Sequence, residues 1–453
     1  MTLLRQSGVA LFTALLTNAV PASAQPAAPP RMPGTVFGGE AATRKVRQAI
    51  DFSAAVVQAN DSDTPTEFRG ITGTDVLGGS STLFTAGAKY KWDGSRVQVG
   101  ATGSTVLRHY SEISDSTMSH SAGVGASARL GARTTLSANQ GVAYAPSYLY
   151  GLFPSTQTDA PGQAVPPAPD YAVDDTASYN YGSRVELTHG LSRRSRVSAS
   201  GEYELTDFVH ETQGRRDLKV GTLHGDLATN VARHLALRAG YRYRTGTFAY
   251  GGLQASGADA SSTEHGLELG VGYSRPVSAS RRMVFDFGFG PSTMTVPVAT
   301  AVSTTSDDRV FRYSANGSVL WEFSRGWNTR IEARRSLEYI AQLAEPVFGD
   351  GVSAELGGVL TSRMDVQAAV RYSTGASASG ASAIGGGALH FDTYSTETQF
   401  RYGVSRSLAV YVQHVYYFYD FQQAVRLPGG LPPSLERNGV RVGVAVWMSA
   451  LRR

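Results

Sequence analysis

From Val46 onward, apolar residues alternate with small or polar ones through segment after segment of about 10 to 16 residues. A period of two is the mark of a strand whose two faces meet different surroundings. In the last segment Val440, Val442, Val444, Val446 and Met448 take the even positions, and Arg441, Gly443, Ala445 and Ser449 the odd ones. The same phasing sets Leu235, Leu237, Ala239, Tyr241 and Tyr243 against Arg238, Gly240, Arg242 and Arg244. It also sets Phe311, Tyr313, Val319, Trp321 and Phe323 against Arg312, Asn316 and Glu322. One face suits lipid and the other tolerates water. A soluble sandwich can show the same alternation, so the pattern alone leaves both architectures open.

The connections separate them. Short turns are expected at Asp93-Gly94-Ser95, Gly131-Ala132-Arg133, Ser192-Arg193-Arg194, Ala232-Arg233-His234, Ser324-Arg325-Gly326, Thr361-Ser362-Arg363 and Ser405-Arg406. Between them run longer polar stretches at 59–79, 151–175, 249–262, 295–309, 377–387 and 422–436. Short turns at one end and long loops at the other are the habit of outer-membrane barrels. The turns also resemble one another, an apolar and a small residue preceding Arg, which makes a weak hairpin repeat. Strands are expected to begin near 46, 81, 96, 118, 134, 177, 195, 217, 234, 263, 281, 310, 327, 351, 364, 388, 407 and 438. The predicted fold is all-β: a single transmembrane antiparallel β-barrel of about 18 strands, within a range of about 16 to 20. An even number returns both termini to the periplasmic side.

The amino terminus adds the compartment. Arg5, the apolar run from Val9 to Leu16 and the small-residue site Ala22-Ser23-Ala24 form a secretory signal peptide, 1–24. A proline-rich periplasmic lead-in, 25–45, precedes the barrel, 46–453. No later stretch is long and apolar enough for a transmembrane helix. With no cysteine, the exported chain has no disulfide framework and suits a fold closed by hydrogen bonds. Lys and Arg number 41 against 37 Asp and Glu, mixed along the chain, which is no nucleic-acid footprint.

Candidate chemistry lies on the face opposite the apolar one. The alternation assigns to the lumen Arg238, Arg242, Arg244, Arg312, Arg330, Glu332, Arg334, Arg371, Glu397, Arg401 and Arg441, among other charges of both signs. Clusters such as Arg238, Arg242 and Arg244 would form a constriction or ladder for an anionic or sugar-like solute. Alternatively, the charges pair across neighbouring strands and stiffen the wall. Trp92, Tyr148, Tyr150, Trp321, Trp327, Tyr416–Tyr419 and Trp447 are expected in interfacial girdles, with an inward aromatic track as the alternative for Tyr417 and Tyr419. Asp61, Asp63, Asp307 and Asp308 are read as solvated loop acids. The pairs Gly123/Gly125, Gly270/Gly272 and Gly288/Gly290 lie inside strands, without a Rossmann unit around them. Scattered histidines and the absence of a G-x-S-x-G motif give catalysis no support, and no cofactor is expected.

The closing segment Arg437-Asn438-Gly439-Val440-Arg441-Val442-Gly443-Val444-Ala445-Val446-Trp447, with the tyrosine-rich strand Tyr411 to Phe421 before it, resembles the closing hairpin of the β-barrel porin type 2 group. The usual terminal Phe is missing, since the chain runs on to Arg453. Some barrels similar to that group accompany exopolysaccharide export. The resemblance implies an outer-membrane channel for passive diffusion or export of small polar solutes or saccharide chains. The expected surroundings are outer-membrane lipid, lipopolysaccharide and the barrel-assembly machinery. A structural or surface-display barrel with an occluded lumen is the alternative.

Overall fold

The computed structural model describes residues 47–67, 76–111, 115–145, 173–174, 177–209, 217–248, 260–278, 281–298, 306–324, 326–340, 346–378, 390–422 and 434–453. The leader, the lead-in, Tyr148 and Tyr150 lie outside them. The strands run β1 (Gln48–Glu67), β2 (Val76–Asp93), β3 (Val97–Tyr110), β4 (Asp115–Arg129), β5 (Thr134–Ala145), the two-residue β6 (Val173–Asp174), β7 (Ser178–Gly190), β8 (Ser195–Phe208), β9 (Leu218–Ala232) and β10 (Leu235–Phe248). They continue as β11 (Ala260–Ser278), β12 (Arg281–Val298), β13 (Ser306–Ser324), β14 (Trp327–Glu338), β15 (Val347–Thr361), β16 (Met364–Ser377), β17 (His390–Gly403), β18 (Leu408–Gln422) and β19 (Ser434–Arg452).

Every barrel strand pairs antiparallel with its neighbour in the chain, β5 pairing with β7. The last strand returns to the first, with Val56 opposite Val444. Eighteen long strands therefore close a barrel; β6 stands apart and pairs in parallel with the end of β1. Closure is what lipid demands, since an open edge would leave backbone groups unsatisfied.

The alternation maps directly onto the wall. Val440, Val442, Val444, Val446 and Met448 are exposed on the outer face, as are Leu237, Tyr241, Phe311, Tyr313 and Trp321. Their sequence neighbours point inward. Spin labels at Val185, exposed outside, and Glu186, next to it on the inner face, should therefore differ. The first should respond to oxygen and the second to an aqueous quencher; equal responses would contradict the phase.

The turns show why a hydroxyl recurs before Arg. The Ser192 Oγ accepts from the backbone N–H of Arg194 at 3.1 Å and of Ser195 at 3.0 Å. Thr361 and Ser405 do the same for Arg363 and Ser407. These side chains satisfy turn donors that the ladder cannot reach.

Strand starts at 134, 195, 281, 327 and 364 agree with expectation to the residue. The expected long loops are shorter than the polar stretches, because β1, β2, β11, β12, β13 and β19 continue into them as strands. Beyond the apolar belt a strand loses its apolar outer file but keeps its ladder, so its sequence reads as loop. Asp61 is accordingly a buried strand residue, not a loop tip. Asp307 and Asp308 fall within β13. Trp447 departs from the girdle assignment: it pairs with Ser53 on the inner face, with Arg452 over its ring at 5.1 Å.

Candidate functional site: the lumen wall and an inward hairpin

All eleven lumen candidates sit on the inner face by the register, and most are held by partners on their own or an adjacent strand. Arg238 on β10 reaches furthest. It contacts Glu268 on β11 at 3.2 Å and Asp286 on β12 at 2.6 Å, and it donates to the Asn316 Oδ1 on β13 at 3.2 Å. The inner-face glycines explain that reach. A Cβ on Gly270 would lie 2.3 Å from the Arg238 Nε, and one on Gly288 would lie 2.4 Å from Glu268. Bare backbone therefore makes the trough in which the guanidinium lies across three strands. Arg242 pairs with Glu264 at 3.2 Å, and Glu264 is fully buried.

The belt continues with Arg184 between Glu186 and Glu202 at 3.2 and 2.9 Å. Arg330 meets Glu332 at 2.5 Å and Arg334 meets Glu338 at 2.9 Å. Arg371 meets Glu355 at 3.4 Å, and Arg401 forks onto Asp365, Nη2 at 2.8 Å and Nε at 3.0 Å. Gln413 donates to Glu397 at 2.6 Å. The inner wall is thus polar and locally neutralised, with its charges paired partly within strands and partly across neighbouring ones.

Arg244 and Arg312 do something else. The Arg244 Nη1 donates to the Leu337 carbonyl at 2.6 Å, and the Arg312 Nη2 to the Ala378 carbonyl at 3.5 Å. Leu337 belongs to β14, four strands from β10, a distance along the wall that one arginine cannot span. The tip of β14 therefore lifts off β13 and lies over the inner face of β9 to β13, while β15 stays paired with β16 up to Val347 opposite Ser377. Leu337 and Phe348 lie on the outward face of their strands, in file with exposed Ile331 and Val352, yet they pack on Met294 and Val310 from the inner face of β12 and β13. Tyr339, just past β14, packs on Leu218, Val220 and Phe248 of β9 and β10. Its hydroxyl and that of Ser262 on β11 are hydrogen bonded at 2.9 Å. Gly246 makes room for the ring, because a Cβ there would lie 2.1 Å from Tyr339.

No family model and no curated protein matches the chain. Among solved structures it is similar to the ferric-catecholate import receptor Fiu of Escherichia coli, with a TM-score of 0.44 at 10% identity, covering 89% of this chain and 82% of that one. It is also similar to Acinetobacter baumannii OccAB1, with a TM-score of 0.42 at 10% identity, covering 90% and 99%. Pseudomonas aeruginosa OpdL gives 0.39 at 10%, covering 89% and 99%. At these identities and scores the likeness carries no functional weight.

The alternation could not show which inward residues cooperate. Asp61, expected as a solvated loop acid, and Glu264 and Arg437, outside the eleven candidates, are among the most buried charges. Asp61 on β1 accepts from Arg108 on β3 at 2.6 Å and from Arg437 on β19 at 2.7 Å, with Arg108 also donating to Ser81 on β2 at 3.0 Å. Four consecutive strands are thereby tied across the seam that closes the barrel. Arg441 is buried beside this cluster at 7% exposure. Their position on the inward parity was the available signal. Tyr417 and Tyr419 also face inward but are fully buried.

Proposed function

We propose that this protein is a bacterial outer-membrane channel for passive diffusion of small polar solutes, narrowed by the inward β14–β15 hairpin. One observation carries the reading: a closed ring of eighteen strands with an apolar outer face and a polar, ion-paired inner face. Strands about 4.8 Å apart and tilted by about 40° enclose a backbone cylinder of roughly 18 Å radius. Inward side chains alone do not fill that cross-section. Strand β1 starts and β19 ends at the short-turn end, which is periplasmic in such barrels, so insertion would run through the barrel-assembly machinery and the outer leaflet would be lipopolysaccharide.

The buried inner rings of Tyr417 and Tyr419 offer no face for a sugar to slide on, which favours small solutes over saccharide chains. The same burial on β18, β19 and β1 supports the second reading, a display barrel with an occluded lumen. Conductance in planar bilayers separates the two. In the channel reading, replacing Arg238, Arg242 and Arg244 by Ala removes three positive charges and leaves Glu264, Glu268 and Asp286 without them. The reversal potential at asymmetric salt should then move toward cations, by about twofold or more in permeability ratio. No conductance in the unaltered protein would favour the occluded barrel. An unchanged reversal potential would remove the cluster from the mechanism.

A further inference from the structure

The wall that the hairpin leaves is incomplete. β13 pairs with β12 along its whole length, up to Ser306 opposite Val298. Its pairing with β14 stops at Ala315 opposite Arg335. From 306 to 314 the other edge of β13 has no strand partner among the described residues. An unpaired edge is a ready seat for a strand.

The segment that fits this seat is the one that has turned inward. Continuing the register beyond Ala315 and Arg335 places Leu337 opposite Tyr313 and Tyr339 opposite Phe311. Tyr313 and Phe311 are exposed outer-face aromatics, packed edge to face at 5.1 Å, with Phe289 stacked on Tyr313. Leu337 and Tyr339 would then extend the outer apolar file begun by Ile331. Meanwhile Arg334 and Glu338 would keep facing the lumen. One sequence thus suits two positions: apolar side chains buried on the inner wall, or the same side chains facing outward beside the girdle.

We propose that the β14–β15 hairpin is a two-position gate, seated inward on Met294, Phe248 and Arg244 or outward on the edge of β13 at 306–314. Each position satisfies what the other leaves open. Inward, the apolar patch of Leu218, Val220, Phe248 and Met294 is covered and the β13 edge has no strand partner among the described residues. Outward, the edge is paired and that patch faces the lumen. Packed elements of this kind switch between discrete arrangements rather than deforming continuously. The exposed Arg335–Asp350 pair, 2.8 Å apart, joins β14 to β15 at the point of departure, and β15 stays paired with β16 up to Val347 opposite Ser377, so the end of β16 moves with the hairpin. The effect on permeation rests on the channel reading; the existence of two seats does not.

The chain has no cysteine, so introduced pairs report alone. Opposed residues on antiparallel strands are about 4.5 to 5.5 Å apart at Cα, within disulfide range. Tyr313→Cys with Leu337→Cys tests the outward seat in native outer membranes. Met294→Cys with Leu337→Cys, bridged by a short bifunctional thiol reagent, tests the inward one. Ala315→Cys with Arg335→Cys is the control for the shared register. All three pairs should link, as read by mass and by the mobility of the unheated barrel. Locking the outward seat should raise single-channel conductance by about twofold or more, reversed by reductant, because a hairpin leaves the lumen. Linkage at Met294 and at Ala315 without any at Tyr313 would overturn the gate, whatever the conductance. Linkage at both seats with no conductance in either state would leave two positions and refute the channel reading instead.

Discussion

Asp61→Ala should lower the stability of the refolded barrel by about 3 kcal/mol, the low end for removing one partner of a buried charge pair. The carboxylate is 3% exposed and holds Arg108 and Arg437, themselves buried. Without it two guanidiniums would face each other across the seam between β19 and β3. The low end applies because Arg108 and Arg437 have further interactions. Asp61→Asn, which keeps an acceptor but not the charge, should cost less. Gly439→Ala should resemble the loss, since a Cβ there would lie 2.2 Å from the Asp61 Oδ1. Urea unfolding followed by the mobility of unheated protein measures all three. An unchanged midpoint for Asp61→Ala would show that the cluster does not hold the closure.

Gly246→Val should have the largest effect on permeation. The new side chain would occupy the place of the Tyr339 ring, which approaches Gly246 more closely than any Cβ allows. Losing that berth removes the packing of Tyr339 on Leu218, Val220 and Phe248 and disturbs the bond between Ser262 and Tyr339. The hairpin should leave its inward seat, and conductance should rise by about twofold or more. The effect must run through the ring. In a Tyr339→Ala background, which lacks the clash, Gly246→Val should therefore add little. Equal increments in both backgrounds would place the cause in β10 itself.

Much of the architecture was legible because lipid imposes a simple rule. Every residue of a spanning strand faces either hydrocarbon or the lumen, so Val442 and Arg441 declare their sides by chemistry alone. The same rule placed Arg238, Arg242, Arg401 and Arg441 on the inner face. Hydroxyls such as Ser192 and Thr361 marked the short turns because they complete the turn's own hydrogen bonds. The even strand number followed from these repeats. The glycines 270 and 288 were visible as alternating small residues, but their purpose, a trough for Arg238, needed the neighbouring strands.

What the chain could not declare is how inner-face residues combine. The Asp61 partner Arg437 lies 376 residues away in the chain, brought near only when the last strand meets the first. The strand extensions beyond the apolar belt carry no apolar file, so backbone pairing alone reveals them. The hairpin is the clearest case. By the alternation that sets Arg330, Glu332 and Arg334 inward, Ile331 and Leu337 take the outward parity of an ordinary wall strand, and within β14 they keep it. Only the competition between the edge of β13 and the apolar patch around Met294 and Phe248 decides that the tip of β14 lies inside the barrel, because both seats satisfy the same alternation and differ only in tertiary contacts.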